Sequence, residues 1–476
     1  MPEIFSSAKD YLLPELTAHL GFLLALLFLA NLLSQKRAPS STMAWLLVIL
    51  FLPYVGVPLY LMLGGRKMNR MARRKARVYV RDPSPPASAS SSQVDRLLHT
   101  MGVPPARAGN RVQLLADGQE AYRVLERILE EARSTIHITT YILGRDGVGR
   151  ELIALLARRA ASGVTVRLLL DDLGSWRVGR RFLGPLLQAG GRVAFFMPVL
   201  HLPFRGRTNL RNHRKLVVAD GQVGITGGMN LAFPYMGPDP GPGYWRDLSV
   251  LVEGPAAADL EELFFSDWAF ATGEELGDHS PGDPLSSRAD PPDPDPDRSD
   301  VIQVVASGPD VADDPLYESL LTLLFSARDR VWIVTPYFVP DETLARALTL
   351  AARRGVDLRL VLPERSNHLS ADLARGSYVR ELHLAGGKVL LYQPEMLHAK
   401  AVVVDETLAV IGSANMDNRS LFLNYEVALL LHGRDRVVQV ADWARSLFPA
   451  CQPYHPRGGW ARPLAENVVR LVSPLL

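Results

Sequence analysis

One long chemical string occurs twice in this chain. The first copy, NHRKLVVADGQVGITGGMN, places His213, Lys215, Asp220, Gly227, Gly228 and Asn230. The second, LHAKAVVVDETLAVIGSANMD, places His398, Lys400, Asp405, Gly412, Ser413 and Asn415. Both read His-x-Lys-x4-Asp-x6-Gly-Gly/Ser-x-Asn. A lone His-x-Lys on a strand is ordinarily a surface pair, so one copy carries little weight. Two copies at one spacing imply two related halves and a shared site on a pseudo-twofold axis.

The flanking residues repeat as well. IHITTYIL (136–143) reads as a strand, GRELIALLARRAASGV as a helix stopped by Gly163, and VRLLLDD as the next strand. In the second half VWIVTPYFVP is the strand, ETLARALTLAARRGV the helix stopped at Gly355, and LRLVLPE the next strand. This order favours parallel strands with helices on the sheet faces. The predicted fold is α/β, with two pseudo-symmetric domains, each a mixed sheet flanked by helices. Side chains two apart on a strand share a face, so His213 projects with Lys215 and His398 with Lys400. LVVAD and AVVVD carry each strand into a core. The following Gly pair marks a second strand where the backbone approaches closely.

Two histidines, two lysines and two asparagines make a cradle for a tetrahedral anion, most naturally a phosphodiester. Lys215, Asn230, Lys400 and Asn415 are the expected phosphate ligands. One histidine attacks; the other protonates the leaving oxygen and then deprotonates the acceptor. Asp247 in YWRDLSV and Glu426 in NYEVALL are candidates to orient the imidazoles. Asp220 and Asp405 belong to the catalytic set by motif, although their place at a strand end suits a bond to backbone or lysine. The lysines supply the charge a metal would bring, and neither metal nor cofactor is expected.

The N-terminus carries two apolar runs, LTAHLGFLLALLFLANLL (16–33) and MAWLLVILFLPYVGVPLYLML (43–63). Each has about the 20 residues a helix needs to cross a bilayer, so a two-helix transmembrane hairpin is expected. Pro53 and Pro58 interrupt the second run and either kink it or make it re-entrant. Arg66, Lys67, Arg70, Arg73, Arg74, Lys75 and Arg77 follow, against only Lys36 and Arg37 between the runs. The positive-inside rule then puts all that follows in the cytoplasm of a multi-pass protein. The start lacks the basic region of a signal peptide.

Pro/Ser-rich residues 81–93 and the acidic, Pro-rich stretch 273–300 read as linkers. The expected organisation is a hairpin at 1–66, a basic flank and linker at 67–96, a first catalytic domain at 97–272, the acidic linker at 273–300, and a second catalytic domain at 301–476. A net charge of +2 and the lack of a basic stretch interleaved with aromatics argue against a nucleic-acid partner. Cys451 is the sole cysteine, which excludes an internal disulfide.

The paired strings resemble the HKD motifs of the phospholipase D superfamily. RTNLRNHRK (207–215), GGMN, YWRD, SGPD (307–310), TPYFVPDE (335–342), LHAK and NMDNRSLFLNYE (415–426) resemble bacterial cardiolipin synthases in particular, as does the N-terminal pair of runs. The resemblance implies joining of two phosphatidylglycerols into cardiolipin with release of glycerol, through a covalent phosphohistidine, at a membrane. His213 is favoured as nucleophile and His398 as acid/base. Hydrolysis to phosphatidic acid uses the same residues with water as acceptor. A nuclease would lack the hairpin, and a non-catalytic lipid-binding scaffold would have lost a motif His or Lys. Arg207, Arg211 and Asn212 are weaker candidates for a headgroup, and Tyr141 and Tyr337 for lining the site. His137 and His383 read as structural, and the tail ENVVRLVSPLL as a terminal helix or a membrane-surface segment.

Overall fold

The computed structural model describes residues 23, 26, 28, 32–33, 39–63, 75, 78–79, 92–198, 210–239, 241–274, 299–311, 313–456 and 466. The chain divides into two compact units, one N-terminal within residues 1–66 and a larger one holding both HKD strings.

In the N-terminal unit most of the first apolar run lies outside the described residues. The second run is two helices, α1 (Pro39–Phe51) and α2 (Pro53–Leu63), of 13 and 11 residues. Proline at position 53 has no N–H to continue the ladder, and the chain doubles back there. The turn is tight. A Cβ on Gly56 would lie 2.5 Å from the Val48 carbonyl oxygen. Trp45 then meets Tyr60 edge-on at 5.3 Å between ring centroids, over a core of Leu32, Ile49 and Val57. At 1.5 Å per residue these helices are about 20 and 17 Å long, well short of a bilayer core of about 30 Å. Of the two alternatives for the second run, a kinked span or a re-entrant segment, the reversal at Pro53 matches the second: 39–63 is a helical hairpin, and the spanning helix of the expected transmembrane pair is not found there. Among the described residues no helix is long and apolar enough to cross a membrane.

In the larger unit, α3 (Gln93–Thr100) leads into the first half. There follow β1 (Arg107–Leu115), α4 (Gly118–Glu131), β2 (Thr135–Thr140), α5 (Gly147–Ala161), β3 (Thr165–Asp171), α6 (Arg180–Gln188) and β4 (Arg192–Phe196). The half closes with β5 (Leu216–Ala219), β6 (Val223–Gly227), β7 (Ser249–Glu253) and α7 (Pro255–Thr272). The second half opens with β8 (Asp300–Ser307), α8 (Pro315–Ser326), β9 (Arg330–Val334), β10 (Phe338–Val339), α9 (Glu342–Arg353), β11 (Asp357–Pro363), α10 (Leu369–Leu384) and β12 (Lys388–Tyr392). It ends with β13 (Ala401–Val404), β14 (Leu408–Gly412), β15 (Met416–Asp417), α11 (Asn418–Phe422), β16 (Glu426–His432), α12 (Arg434–Leu447) and β17 (Cys451–Pro453).

Fifteen strands form one sheet in the order β17-β12-β11-β9-β13-β14-β16-β8-β1-β7-β6-β5-β2-β3-β4. Read outward from the β8–β1 junction, seven strands of each arm repeat in order, and β17 extends the second arm beyond β12. β2, β3 and β4 are parallel, whereas β5, β6 and β7 pair antiparallel, so each arm is mixed. The α/β fold of two pseudo-symmetric halves read from the sequence is the observed one. Helices cover both faces of this sheet over three large apolar clusters. The helix-stopping Gly163 and Gly355 take φ of +96° and +89°, which a side chain would strain.

Candidate active site

The local fold sets the HKD side chains at the junction of the halves. His213 and Lys215 precede β5, and His398 and Lys400 precede β13, so both pairs stand at the same strand end. The following glycines make room beside them. A Cβ on Gly227 would fall 2.5 Å from the Ser249 Cα, and one on Gly412 2.3 Å from the Val427 carbonyl oxygen.

Backbone pairing then crosses from one half to the other. The His213 N–H donates to the Tyr425 carbonyl at 2.9 Å, and the His398 N–H to the Arg246 carbonyl at 2.7 Å. The next residues in those partner segments are Glu426 and Asp247. Each carboxylate therefore meets the histidine of the other half. His213 Nδ1 lies 3.0 Å from both Glu426 oxygens, and His398 Nδ1 lies 2.7 Å from Asp247 Oδ2. Both carboxylates are fully buried. A carboxylate on Nδ1 selects the tautomer that leaves Nε2 unprotonated and exposes its lone pair.

Electrostatics follow from burial and proximity. Burial pushes Lys215 down to about 7, with Lys400 adding to the shift and Glu426 opposing it. Burial likewise pushes Lys400 down to about 8 against the pull of Asp247 and Glu426. His398 is pushed down to about 3 by burial and by the Lys400 ammonium at its ring. Burial also lowers His213, partly offset by Glu426. Burial opposes ionisation of Asp247 and Glu426. Lys400 and His398 for the one, and His213 and Lys215 for the other, still hold them below the usual carboxylate range. Burial thus favours neutral imidazoles and disfavours the charge on both lysines, while the two carboxylates stay ionised.

The sequence candidates divide. Asn230 lies in the first half-site, where its Oδ1 accepts the Ile142 N–H at 3.1 Å. Asn415 Oδ1 is buried without a hydrogen-bond partner among the described residues. Asp220 and Asp405, placed in the catalytic set by motif, sit at the far ends of β5 and β13. Asp220 accepts the N–H groups of Arg133, Ser134 and Thr135 at 2.7, 2.7 and 2.8 Å. Asp405 does the same for Arg328, Asp329 and Arg330. Both take positive φ, 53° and 51°. They brace the turn before β2 and β9 and do not reach the imidazoles.

Arg211 and Asn212 are not solvated. Arg211 donates to the Met197 carbonyl at 2.9 Å, and Asn212 Nδ2 to Asp267 at 2.8 Å. Arg207 lies outside the described residues. Tyr141 stands edge-on to His213 at 5.0 Å and Tyr337 to His398 at 6.4 Å, so both line the site. His137 is buried between Phe264 and Glu261, in keeping with a structural role. Apart from Glu466, the C-terminal tail lies outside the described residues.

Sequence reasoning missed Tyr235 and Trp245, which pack on His398 at 5.1 and 5.3 Å. It also missed Ser413 as a donor to Glu426. The one signal for Ser413 was its departure from Gly228 at the matched motif position.

A family of cardiolipin synthase, PLD-like domains matches residues 125–268 and 320–448, and a phospholipase D-nuclease N-terminal family matches 23–65. A cardiolipin synthase of Geobacillus kaustophilus is 34% identical, over 95% of this chain and 92% of its own length. The chain belongs to the cardiolipin synthase family of the phospholipase D superfamily. Cardiolipin synthase A of Pseudomonas syringae pv. syringae is 36% identical, over 92% of this chain and 94% of that protein. The fold of this family member also resembles the phosphatidylserine synthase of Haemophilus influenzae. That likeness has a TM-score of 0.59 at 15% identity and covers 81% of this chain and all of the other.

Proposed function

We propose that this chain is a phosphatidyltransferase that joins two phosphatidylglycerols into cardiolipin and releases glycerol. The observation that carries the reading is the crossed pair of histidine–carboxylate contacts, each beside a buried lysine. His213 Nε2 attacks the phosphorus of the first lipid as the P–O bond to its glycerol breaks. His398 gives a proton to the departing glycerol oxygen. His398 then takes the proton from a hydroxyl of the second phosphatidylglycerol, whose oxygen displaces His213 from phosphorus. Lys215 and Lys400 balance the non-bridging oxygens in both steps, with Asn230 and Asn415 as amide donors.

Burial first, and then the charge of Lys400, disfavour a protonated His398. A phosphodiester seated on both lysines adds a negative charge beside the ring and lets His398 take up its proton. His213 as nucleophile is supported by its greater exposure, 11% against 5% for the His398 side chain.

The N-terminal unit serves as the membrane anchor in this reading. Leu47, Leu50, Phe51, Leu52, Tyr54 and Val55 on its hairpin are exposed, an apolar surface suited to lipid. The basic flank at 66–77 puts the catalytic halves on the cytoplasmic face. A thiol engineered near Ser90 should escape labelling from outside intact cells; efficient labelling would reverse the orientation.

With phosphatidylglycerol as sole lipid, cardiolipin and glycerol should appear in equal amounts. Phosphatidic acid as the dominant product at every acceptor concentration would make the protein a hydrolase.

A further inference from the structure

Lys75 reads from the sequence as one more residue of the basic flank after the second apolar run. It does not face solvent. It is 3% exposed, with its ammonium 2.5 Å from Asp267 Oδ1 and 2.8 Å from Asp310 Oδ2. It also stands 4.6 Å from the centre of the Tyr425 ring. Asp267 receives two further donors, Arg214 Nη1 at 2.7 Å and Asn212 Nδ2 at 2.8 Å. Lys75, Arg214, Asp267 and Asp310 are thus two cations and two carboxylates, all buried and balanced in charge.

Three members of this quartet, Lys75, Arg214 and Asp267, reach the chain around the first catalytic histidine, and Asp310 joins them through Lys75. Arg214 is the residue between His213 and Lys215. Its Nε donates to the Glu426 carbonyl at 3.1 Å and its Nη2 to the Ser307 carbonyl at 3.2 Å, both in the second half. Tyr425, under the ammonium, accepts the His213 N–H. Asn212 precedes His213. Nearby, the Tyr79 hydroxyl accepts the Ala306 N–H at 2.7 Å, which pins the segment carrying Lys75 to β8. Asp310 ends the SGPD string, whose Ser307 carbonyl is the one that Arg214 Nη2 holds.

Without Lys75, two buried carboxylates compete for one guanidinium. Leaving one buried charge unpaired is strongly unfavourable. Arg214 would turn toward Asp310 and relax its hold on the Glu426 and Ser307 carbonyls, and the His213–Glu426 contact would lose its fixed geometry. We infer that Lys75 is a positioning residue for phosphatidyl transfer: the segment following the N-terminal unit completes the quartet that fixes Arg214 and, through it, the His213–Glu426 pair. The inference rests on the reading of His213 as catalytic.

The test uses full-length protein in phosphatidylglycerol vesicles, with kcat, KM and melting temperature measured together. Lys75→Met should lower kcat by about tenfold to a hundredfold, the scale of a small misplacement of a reacting group. KM should stay within about twofold, because no lipid contact is removed. Lys75→Arg should keep most of kcat. Adding Asp310→Asn to Lys75→Met restores charge balance and should return kcat to within about threefold of the parent.

If Lys75→Met does not fold, the double variant carries the test. Folded and active, it supports the quartet; folded and still slow by tenfold or more, it overturns it. Parental kcat in Lys75→Met also overturns the inference, provided His213→Ala is inactive in the same assay. If His213→Ala retains transfer, the reading of the site fails first.

Discussion

The two half-sites share one motif and one strand end, yet they hold their histidines differently. His213 faces both oxygens of Glu426, and that carboxylate is supported by the Ser413 hydroxyl and, at 3.4 Å, by Asn424 Nδ2. His398 faces a single oxygen of Asp247, whose other oxygen accepts the adjacent Leu248 N–H at 2.7 Å. His398 also lies in contact with Lys400 and is enclosed by Tyr235, Trp245 and Tyr337, whereas among the described residues His213 has Tyr141 alone as a paired aromatic ring. A duplicated motif therefore supplies two equivalent imidazoles, and the surroundings make one the more exposed and the other the more enclosed. Such a difference suits a reaction in which only one histidine can be the attacker.

The largest effects should come from the histidines themselves. His213→Ala and His398→Ala should each cut phosphatidyl transfer by at least about 10⁴-fold, since groups acting as a unit fail together. Transfer within tenfold of the parent in either variant would remove that histidine from the mechanism.

The supports of the two carboxylates give the next test. Ser413→Ala removes a donor to a charged oxygen, a bond of about 1.5–3 kcal/mol, and should lower kcat by about tenfold to a hundredfold. The reciprocal change, Gly228→Ser, should not create a matching support. A Cβ there would lie 2.0 Å from Asp247 Oδ1 and must displace that carboxylate. Gly228→Ser should thus also lower kcat, and an unchanged kcat would mean that Asp247 is not needed where it stands.

A smaller effect comes from pH. A lysine lowered to about 7 is charged below that pH and neutral above it. In the free enzyme the phosphate cradle should therefore weaken as Lys215 and then Lys400, near 8, lose their protons. kcat/KM should fall through pH 7–8, while kcat holds to higher pH because bound phosphodiester stabilises both ammonium groups. A flat kcat/KM to pH 9 would show that the lysines are not the main anion contacts.

The smallest effect on catalysis belongs to Asp220→Asn and Asp405→Asn. Each weakens a carboxylate that caps several backbone N–H groups, so stability should drop by about 1–3 kcal/mol while kcat of the folded protein stays within about twofold. A hundredfold loss of kcat with an unchanged melting temperature would return these residues to the catalytic set.

Much of this arrangement was legible in the sequence. Residue identity and spacing suffice to place His213 with Lys215 and His398 with Lys400, because strand geometry repeats every two residues. The α/β repeat was legible for the same reason. Spacing could not say that Asp247 serves the second histidine and Glu426 the first. That crossing arises where β1 and β8 join two arms into one sheet, a tertiary pairing absent from any local pattern. At Asp220 and Asp405 four intervening strand residues carry the carboxylate away from the histidine, and the bond to backbone that a strand end suits is the one observed. Lys75 was hidden among other basic residues, since a charge buried by distant carboxylates looks the same as a solvated one. The 43–63 run has the length and hydropathy of a span, and its reversal at Pro53 depends on Gly56 admitting the Val48 carbonyl.

The most direct test of unequal histidines is covalent labelling with a nitrophenyl phosphodiester lipid, whose leaving group needs little protonation. His398→Ala should still form an acid-labile phosphohistidine, and His213→Ala should form none. Labelling of His213→Ala but not of His398→Ala would reverse the roles assigned to the two half-sites and contradict the account.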